Sequence, residues 1–306
     1  MQIGLLGLGR MGANMARRLA RAGVSVSVWN RSLDVAEQLA AGQPGIGAHA
    51  SIGQLVASLP APRLVWLMLP AGAPTEAVMQ ELAGHLSAGD VVVNGANAWF
   101  RDSQRHAEEL ARHGLQFVDA GVSGGVWGLD NGYALMLGGT REAVSRVEPY
   151  ARLLAPAPDA GWLHCGPAGS GHYVKMVHNG IEYGMMQALA EGLALMRARE
   201  DFALDLAAIS EMWRHGSVVR SWLLDLTADF LKQDQTLQSI EPFVADSGEG
   251  RWTALESIEL GVPTPVMSLS LMMRFASQGR NEYTDRLLAM MRKGFGGHAV
   301  KGGAHE

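Results

Sequence analysis

Short apolar runs alternate with longer amphipathic stretches along residues 1 to about 163. The runs lie at residues 3–7, 24–29, 64–69, 91–94, 116–120, 134–138 and 162–165. Their unbroken apolar character predicts strands buried on both faces. The stretches at 12–22, 33–41, 76–85, 102–113 and 141–154 carry the 3.6-residue period of helices. This alternation predicts a doubly wound α/β sheet of Rossmann type. After Pro167 the strand-like runs vanish, and helical patterns occupy 169–200, 204–215, 219–232, 253–259, 266–278 and 285–292. The segment from Pro156 to Pro167 concentrates proline and glycine, so a boundary is expected there, with an α/β domain at 1–165 and an all-helical domain at 166–306.

Composition narrows the function classes. A chain of 306 residues with 48% apolar and 18% charged positions is globular, and at roughly 150 residues per domain it has room for two. Its 38 glycines, about 12% of the chain against a usual ~7%, suggest tight turns and close backbone approach. With 25 basic and 30 acidic residues the net charge is −5, and the longest basic run is Arg17-Arg18, which argues against nucleic acid. No charged leader stands before the first apolar run and no apolar stretch of about 18 residues occurs, so a cytoplasmic protein with no membrane span is expected. The single cysteine, Cys165, reads as a small buried hydrophobe in a reducing compartment. The ten histidines form no H-E-x-x-H. His164, Cys165 and His172 are the only grouping, and surface histidines with no metal site are the expectation.

Gly7-Leu8-Gly9-Arg10-Met11-Gly12 is a G-x-G-x-x-G directly after an expected strand and at the start of an expected helix. The first glycine permits the turn, the second lets backbone approach a pyrophosphate, and the third lets helix and strand pack. Dinucleotide binding by the first domain follows. The second expected strand ends in Asn30-Arg31-Ser32, where NAD-binding chains place an acid. An arginine fork beside an amide and a hydroxyl suits a 2′-phosphate, so NADP is favoured, with NAD as the alternative if Asp34 serves the ribose.

Lys175, His178, Asn179 and Glu182 stand at i, i+3, i+4 and i+7, which places them on one stripe of a helix. Gly171, Gly180 and Gly184 in the same helix cost stability relative to alanine, and suggest close packing of another backbone or a ligand. Lys175 and Glu182 are about 10 Å apart along the axis, so a lysine base and a glutamic acid could flank one short substrate. Two polar clusters follow expected strands: Asn94-Gly95-Ala96-Asn97, and Asp119 to Gly125 with Ser123, Gly124 and Gly125. The second spells G-x-S-x-G. A nucleophile elbow is rejected because a helix is not expected straight after Ser123.

These segments together resemble the decarboxylating 6-phosphogluconate dehydrogenases, in their shorter form. The matching pieces are Gly7 to Gly12, Trp66 to Gly72, Asn94 to Asn97, Val122-Ser123-Gly124-Gly125, Lys175 to Tyr183, and Gly248-Glu249-Gly250-Arg251-Trp252-Thr253. The glycine turn is shared by all 3-hydroxyacid dehydrogenase relatives, whereas the last two pieces are specific to the phosphogluconate branch. The resemblance implies oxidation and decarboxylation of 6-phosphogluconate to ribulose 5-phosphate in the pentose phosphate pathway. It implies Lys175 as base, Glu182 as acid, and Asn179 beside them. It further implies that Asn97, Ser123, Gly124, Gly125, His178 and Asn179 hold the carboxylate and hydroxyls, that Tyr183 with Arg274 grips the phosphate, and that Leu69, Pro70, Ala71 and Asn97 lie along the cofactor. A homodimer or homotetramer is implied as well.

Three departures qualify the pattern. The usual G-G-N reads Gly95-Ala96-Asn97, a basic residue before the tryptophan motif reads Ser247, and the long members' second helical repeat and tail are absent. Arg251 is a candidate replacement for the missing basic group, and His298, from a partner subunit, for the tail. The rival readings are a non-decarboxylating NADP-dependent 3-hydroxyacid dehydrogenase and a non-catalytic NADP-binding regulator. The methionine-rich stretch 267–273 reads as ordinary core, with a subunit interface as the alternative.

Overall fold

A computed structural model describes residues 1–296 and 299–301. The first half runs β1 (Gln2–Leu6), α1 (Arg10–Arg21), β2 (Ser25–Trp29), α2 (Leu33–Gly42), β3 (Ile46–Ala48), α3 (Ile52–Ser58), β4 (Leu64–Leu67), α4 (Ala73–His85), β5 (Val91–Asn94), α5 (Phe100–Ala111), β6 (Gln116–Ser123), α6 (Gly128–Asn131), β7 (Ala134–Gly139), α7 (Arg141–Leu154) and β8 (Trp162–Gly166). Helices α8 (Ser170–Arg197), α9 (Leu206–Trp213), α10 (Trp222–Gln233), α11 (Glu249–Leu260), α12 (Pro265–Ser277) and α13 (Glu282–Gly296) follow.

The strands form one sheet in the order β3-β2-β1-β4-β5-β6-β7-β8, parallel throughout except for the antiparallel β6–β7 pair. Alternate residues of each central strand serve opposite faces. Leu64, Trp66, Val91 and Val93 join one apolar cluster with Met15 and Leu19 of α1, while Val65, Leu67 and Val92 join another with Leu55 and Leu82. Helices therefore cover both faces, as the unbroken apolar runs require. The chain order reverses direction of winding between β1 and β4, the place where such sheets leave a crevice for a ligand.

Three short elements, β3, α3 and α6, depart from the sequence expectation. β3 is a three-residue edge strand, too short for a periodic signal, and α3 spans only seven residues. α3 did carry a start signal: the Ser51 hydroxyl accepts from Gln54 N, and the Gln54 side chain accepts from Ala50 N, close to the reciprocal S-x-x-Q cap. A further correction concerns Ser123. A 3-10 turn (Gly125–Trp127) and α6 follow it at once, so the helix thought unattainable there exists in short form.

Cα packing divides the chain into Met1–Val177 and His178–Glu306. The second unit buries little apolar surface. Leu206, Ala207 and Leu231 form a cluster there, and in the methionine-rich stretch Leu271 is buried as expected of core whereas Leu269, Met272 and Met273 are exposed. Among the described residues no helix is long and apolar enough to cross a membrane.

Candidate active site

Gly7 directly follows β1 with φ +93°, and a side-chain carbon there would stand 2.5 Å from the Met68 carbonyl oxygen. At Gly12 it would collide with the Gly7 carbonyl. At Gly9 no atom lies within 4 Å of that position. The turn is thus closed at its first and third glycines and open at its second. Gly9 is also the N-cap of α1, no side chain caps it, and the first helical turn holds no acid. Unopposed amides at an open glycine fit a pyrophosphate. Gly7 N donates to Trp29 O at 3.0 Å and Leu8 N to Asn30 Oδ1 at 3.1 Å, so Asn30 braces the turn. Arg31 and Ser32 are exposed, and the Ser32 hydroxyl caps no amide of α2. Arg10 is exposed and Met11 packs against the core.

The loop after β4 lies against this turn. Met68 N donates to Leu6 O at 2.7 Å, and Leu69 packs on the sheet. Pro70 and Ala71 are exposed, with the Pro70 carbonyl held by Thr75 Oγ1 at 2.8 Å. Asn97, after β5, sits in the left-handed region at φ 49°. Its Nδ2 donates to Val122 O at 3.1 Å and its Oδ1 accepts from Val122 N at 2.9 Å. Asn97 therefore ties its loop to β6, leaving one N–H and one lone pair for a ligand. Ser123 ends β6 half-buried, followed by Gly124 and Gly125 at positive φ.

Lys175 is only 5% exposed. Its helix begins on the buried Asp119 carboxylate of β6, where Oδ1 accepts from Gly169 N at 2.6 Å and Oδ2 from His172 N at 2.8 Å. Carboxylate bonds to orphan amides are a strong form of capping. Gly171 packs against backbone of β6 and β7, and a carbon added to Gly121 would stand 2.5 Å from Lys175 Cβ. Further along α8, Gly180 faces Thr253 and Gly184 faces Val266. The close packing read from these glycines is thus met by protein atoms at all three.

Beyond Val177, His178 and Glu182 are 39% and 38% exposed, with His178 Nδ1 3.8 Å from Glu182 Oε2 and 3.0 Å from Asn179 Oδ1. Tyr183 is buried, its hydroxyl 3.3 Å from Ser247 Oγ, and Ser247 in turn donates to Glu249 Oε2 at 2.5 Å. The Arg274 guanidinium stacks 3.5 Å from the centre of the Tyr183 ring and donates to Ala245 O at 2.8 Å. Arg251 is ion-paired with Asp246 and lies over the Phe275 ring, so its charge is already engaged. His298 lies outside the described residues.

Sequence reading missed Asp119 as an anchor and His172 as a buried group. His172 and His106 are 1% and 4% exposed, which corrects the expectation of surface histidines. Asp119 lies 50 residues before Gly169, so nothing local flagged their pairing. Among the described residues no cluster of His, Cys, Asp and Glu could hold a metal. Cys165 is half-buried, and burial pushes its thiol up, with the Asp119 charge adding to the shift.

A parallel sheet with an open glycine turn at its switch point, continued by helices, defines a two-domain dinucleotide-dependent dehydrogenase architecture. Residues 2–158 match the NAD binding domain of 6-phosphogluconate dehydrogenase, and residues 171–298 match the C-terminal domain of the same enzyme. The NAD(+)-dependent, decarboxylating 6-phosphogluconate dehydrogenase of Haloferax volcanii is 40% identical over 98% of each chain. The NADP(+)-dependent, decarboxylating enzyme of Bacillus subtilis is 38% identical over 92% of this chain and 62% of its own length. The 6-phosphogluconate dehydrogenase of Plasmodium falciparum, solved in apo form and in complexes with NADP+ and with 6-phosphogluconate, superposes with TM-score 0.83 at 28% identity, covering all of this chain and 67% of that one. The chain belongs to the 6-phosphogluconate dehydrogenase family.

Proposed function

We propose that this protein oxidises 6-phosphogluconate at C3 and decarboxylates it to ribulose 5-phosphate and CO₂, within the pentose phosphate pathway, with NADP as preferred oxidant and NAD as the alternative. The observation that carries the reading is Lys175, a lysine held almost wholly inside the protein and sharing a helix stripe with Glu182.

The amides of Gly7 to Gly12 hold the pyrophosphate, and Arg31 with Ser32 takes a 2′-phosphate by charge-assisted hydrogen bonds. Leu69, Pro70 and Ala71 border the nucleotide. When bound, the nicotinamide ring accepts a hydride. Lys175 Nζ takes the proton of the C3 hydroxyl as hydride leaves C3, a step that uses the neutral amine. The resulting ketone is β to the carboxylate. The ammonium of Lys175 polarises it and returns its proton to the C3 oxygen as the C1–C2 bond breaks and CO₂ departs. Glu182 then protonates the former C2 of the enediol while the neutral Lys175 takes back the C3 hydroxyl proton, giving the keto product. Asn97, Ser123, Gly124, Gly125, His178 and Asn179 orient the carboxylate and hydroxyls, and Tyr183, Arg274 and a partner's His298 bind the phosphate.

A homodimer or homotetramer belongs to this reading. A groove of 760 Å³ beside α8, α9 and α10 is bordered by Met186, Leu193, Leu223, Phe230 and Ile240, and it adds to the exposed apolar side chains of α12. Apolar surface of that extent favours a partner copy. Light scattering across a dilution series reads the mass. A cytoplasmic location completes the reading, with neither nucleic acid nor membrane as partner.

Incubation with [1-¹⁴C]6-phosphogluconate and each nucleotide tests the reaction. Reduced nucleotide and trapped ¹⁴CO₂ are expected in equal amounts, and reduced nucleotide without CO₂ overturns the decarboxylation. Lys175→Met is expected to lower turnover about 10²- to 10⁴-fold. Unchanged turnover removes Lys175 from the mechanism.

A further inference from the structure

A chain of buried polar groups that the chemistry above does not use runs from α5 to the start of α8. Ser103, on the inner face of α5, has its hydroxyl 2.7 Å from Nδ1 of His172, and both residues are buried. The backbone of Asn94 and Ala120 lies close to the His172 ring, whose Nε2 closes no hydrogen bond. The imidazole is therefore lodged between α5 and the backbone of β5 and β6. His172 precedes Lys175 by three residues, so the two side chains leave the same face of the helix one turn apart.

Asp119 cannot by itself set the direction of Lys175. Its two bonds hold the backbone amides of Gly169 and His172, Gly171 and Gly121 set how closely the helix packs, and the His172 side chain adds a further constraint on rotation one turn before Lys175. Rotation matters through leverage. An ammonium roughly 8 Å from the axis moves about 1.4 Å for a turn of about 10°. A misplacement of about 1 Å in a reacting group can cost ~100-fold in rate.

We infer that His172 is a positioning residue, which with Ser103 fixes the rotation of the first turn of α8 and so the direction in which Lys175 presents its amine. The inference rests on Lys175 being the base. Burial lowers the imidazole's proton affinity against the opposing charge of Asp119, so a neutral ring accepts the Ser103 hydroxyl at Nδ1.

The test compares the full chain with Ser103→Ala, His172→Leu and His172→Asn, whose amide oxygen replaces Nδ1. Ser103→Ala and His172→Leu are expected to lower kcat at least tenfold, with KM for 6-phosphogluconate and NADP within about twofold of wild type. His172→Asn is expected to recover most of kcat. A readout independent of turnover is the rate at which acetic anhydride acetylates Lys175, followed by mass spectrometry against Lys232 in the same sample. That ratio is expected to change severalfold in the first two variants and to return in the third. Wild type without turnover, but with the labelling pattern as stated, refutes the base assignment while leaving the positioning intact. Folded Ser103→Ala and His172→Leu with unaltered kcat, or with an unaltered Lys175 labelling ratio, overturn the inference. Equal loss of kcat and of the melting transition in all three variants overturns it too.

Discussion

Gly121 and Lys175 meet so closely that a methyl group on the glycine would stand 2.5 Å from the lysine's Cβ. Gly121→Ala should therefore push α8 off β6. Overpacking of this kind costs about 1–3 kcal/mol, and the displaced amine should lose at least about 100-fold in turnover. Urea unfolding and initial rates on the same preparation check both effects.

Acid should destabilise the protein through His172. Burial holds this imidazole below its ordinary pKa of 6.5, against the charge of Asp119. The folded chain then refuses a proton that the unfolded chain accepts. The His172 contribution is complete above about pH 6.5 and falls with pH below it, by up to about 1.4 kcal/mol per unit. Unfolding free energies from pH 7.5 to 5 should show this slope in wild type and a shallower one in His172→Asn. Parallel slopes count against a buried neutral histidine.

Arg31 is exposed beside a hydroxyl that caps nothing. Arg31→Ala should raise KM for NADP tenfold or more, equivalent to about 1.4 kcal/mol, while KM for NAD stays within about twofold. Equal effects on both nucleotides would sink the 2′-phosphate assignment.

Arg274 places its guanidinium carbon 3.5 Å from the centre of the Tyr183 ring, closer than a compact, strongly hydrated ammonium would settle. Arg274→Ala should raise KM for 6-phosphogluconate at least tenfold with a smaller change in kcat, and Arg274→Lys should fail to restore it. Steady-state kinetics at saturating NADP separates the two constants.

Periodicity made most strands and helices readable, because apolar runs buried on both sides and amphipathic helices each leave a repeating mark. β3 left none, since three residues at an edge carry no period. The glycine turn, Lys175 and Glu182 were visible because chemistry and spacing coincide within a few residues. The Asp119 anchor and the Ser103–His172 contact were invisible, because each joins positions 50 or more apart through atoms that only the fold brings together. Ser247 shows the same limit. Its substitution stood out in the sequence, but its engagement with Glu249 and Tyr183 did not.

Both proton-handling groups of the proposed reaction ride on the single 28-residue helix α8. Loops elsewhere can gain or lose residues and merely bulge. One residue added between positions 175 and 182 would swing Glu182 about 100° around the rod and carry it about 1.5 Å further along. The interval between them behaves as a ruler with fixed graduations, and six intervening residues are the number at which its two marks face the same way.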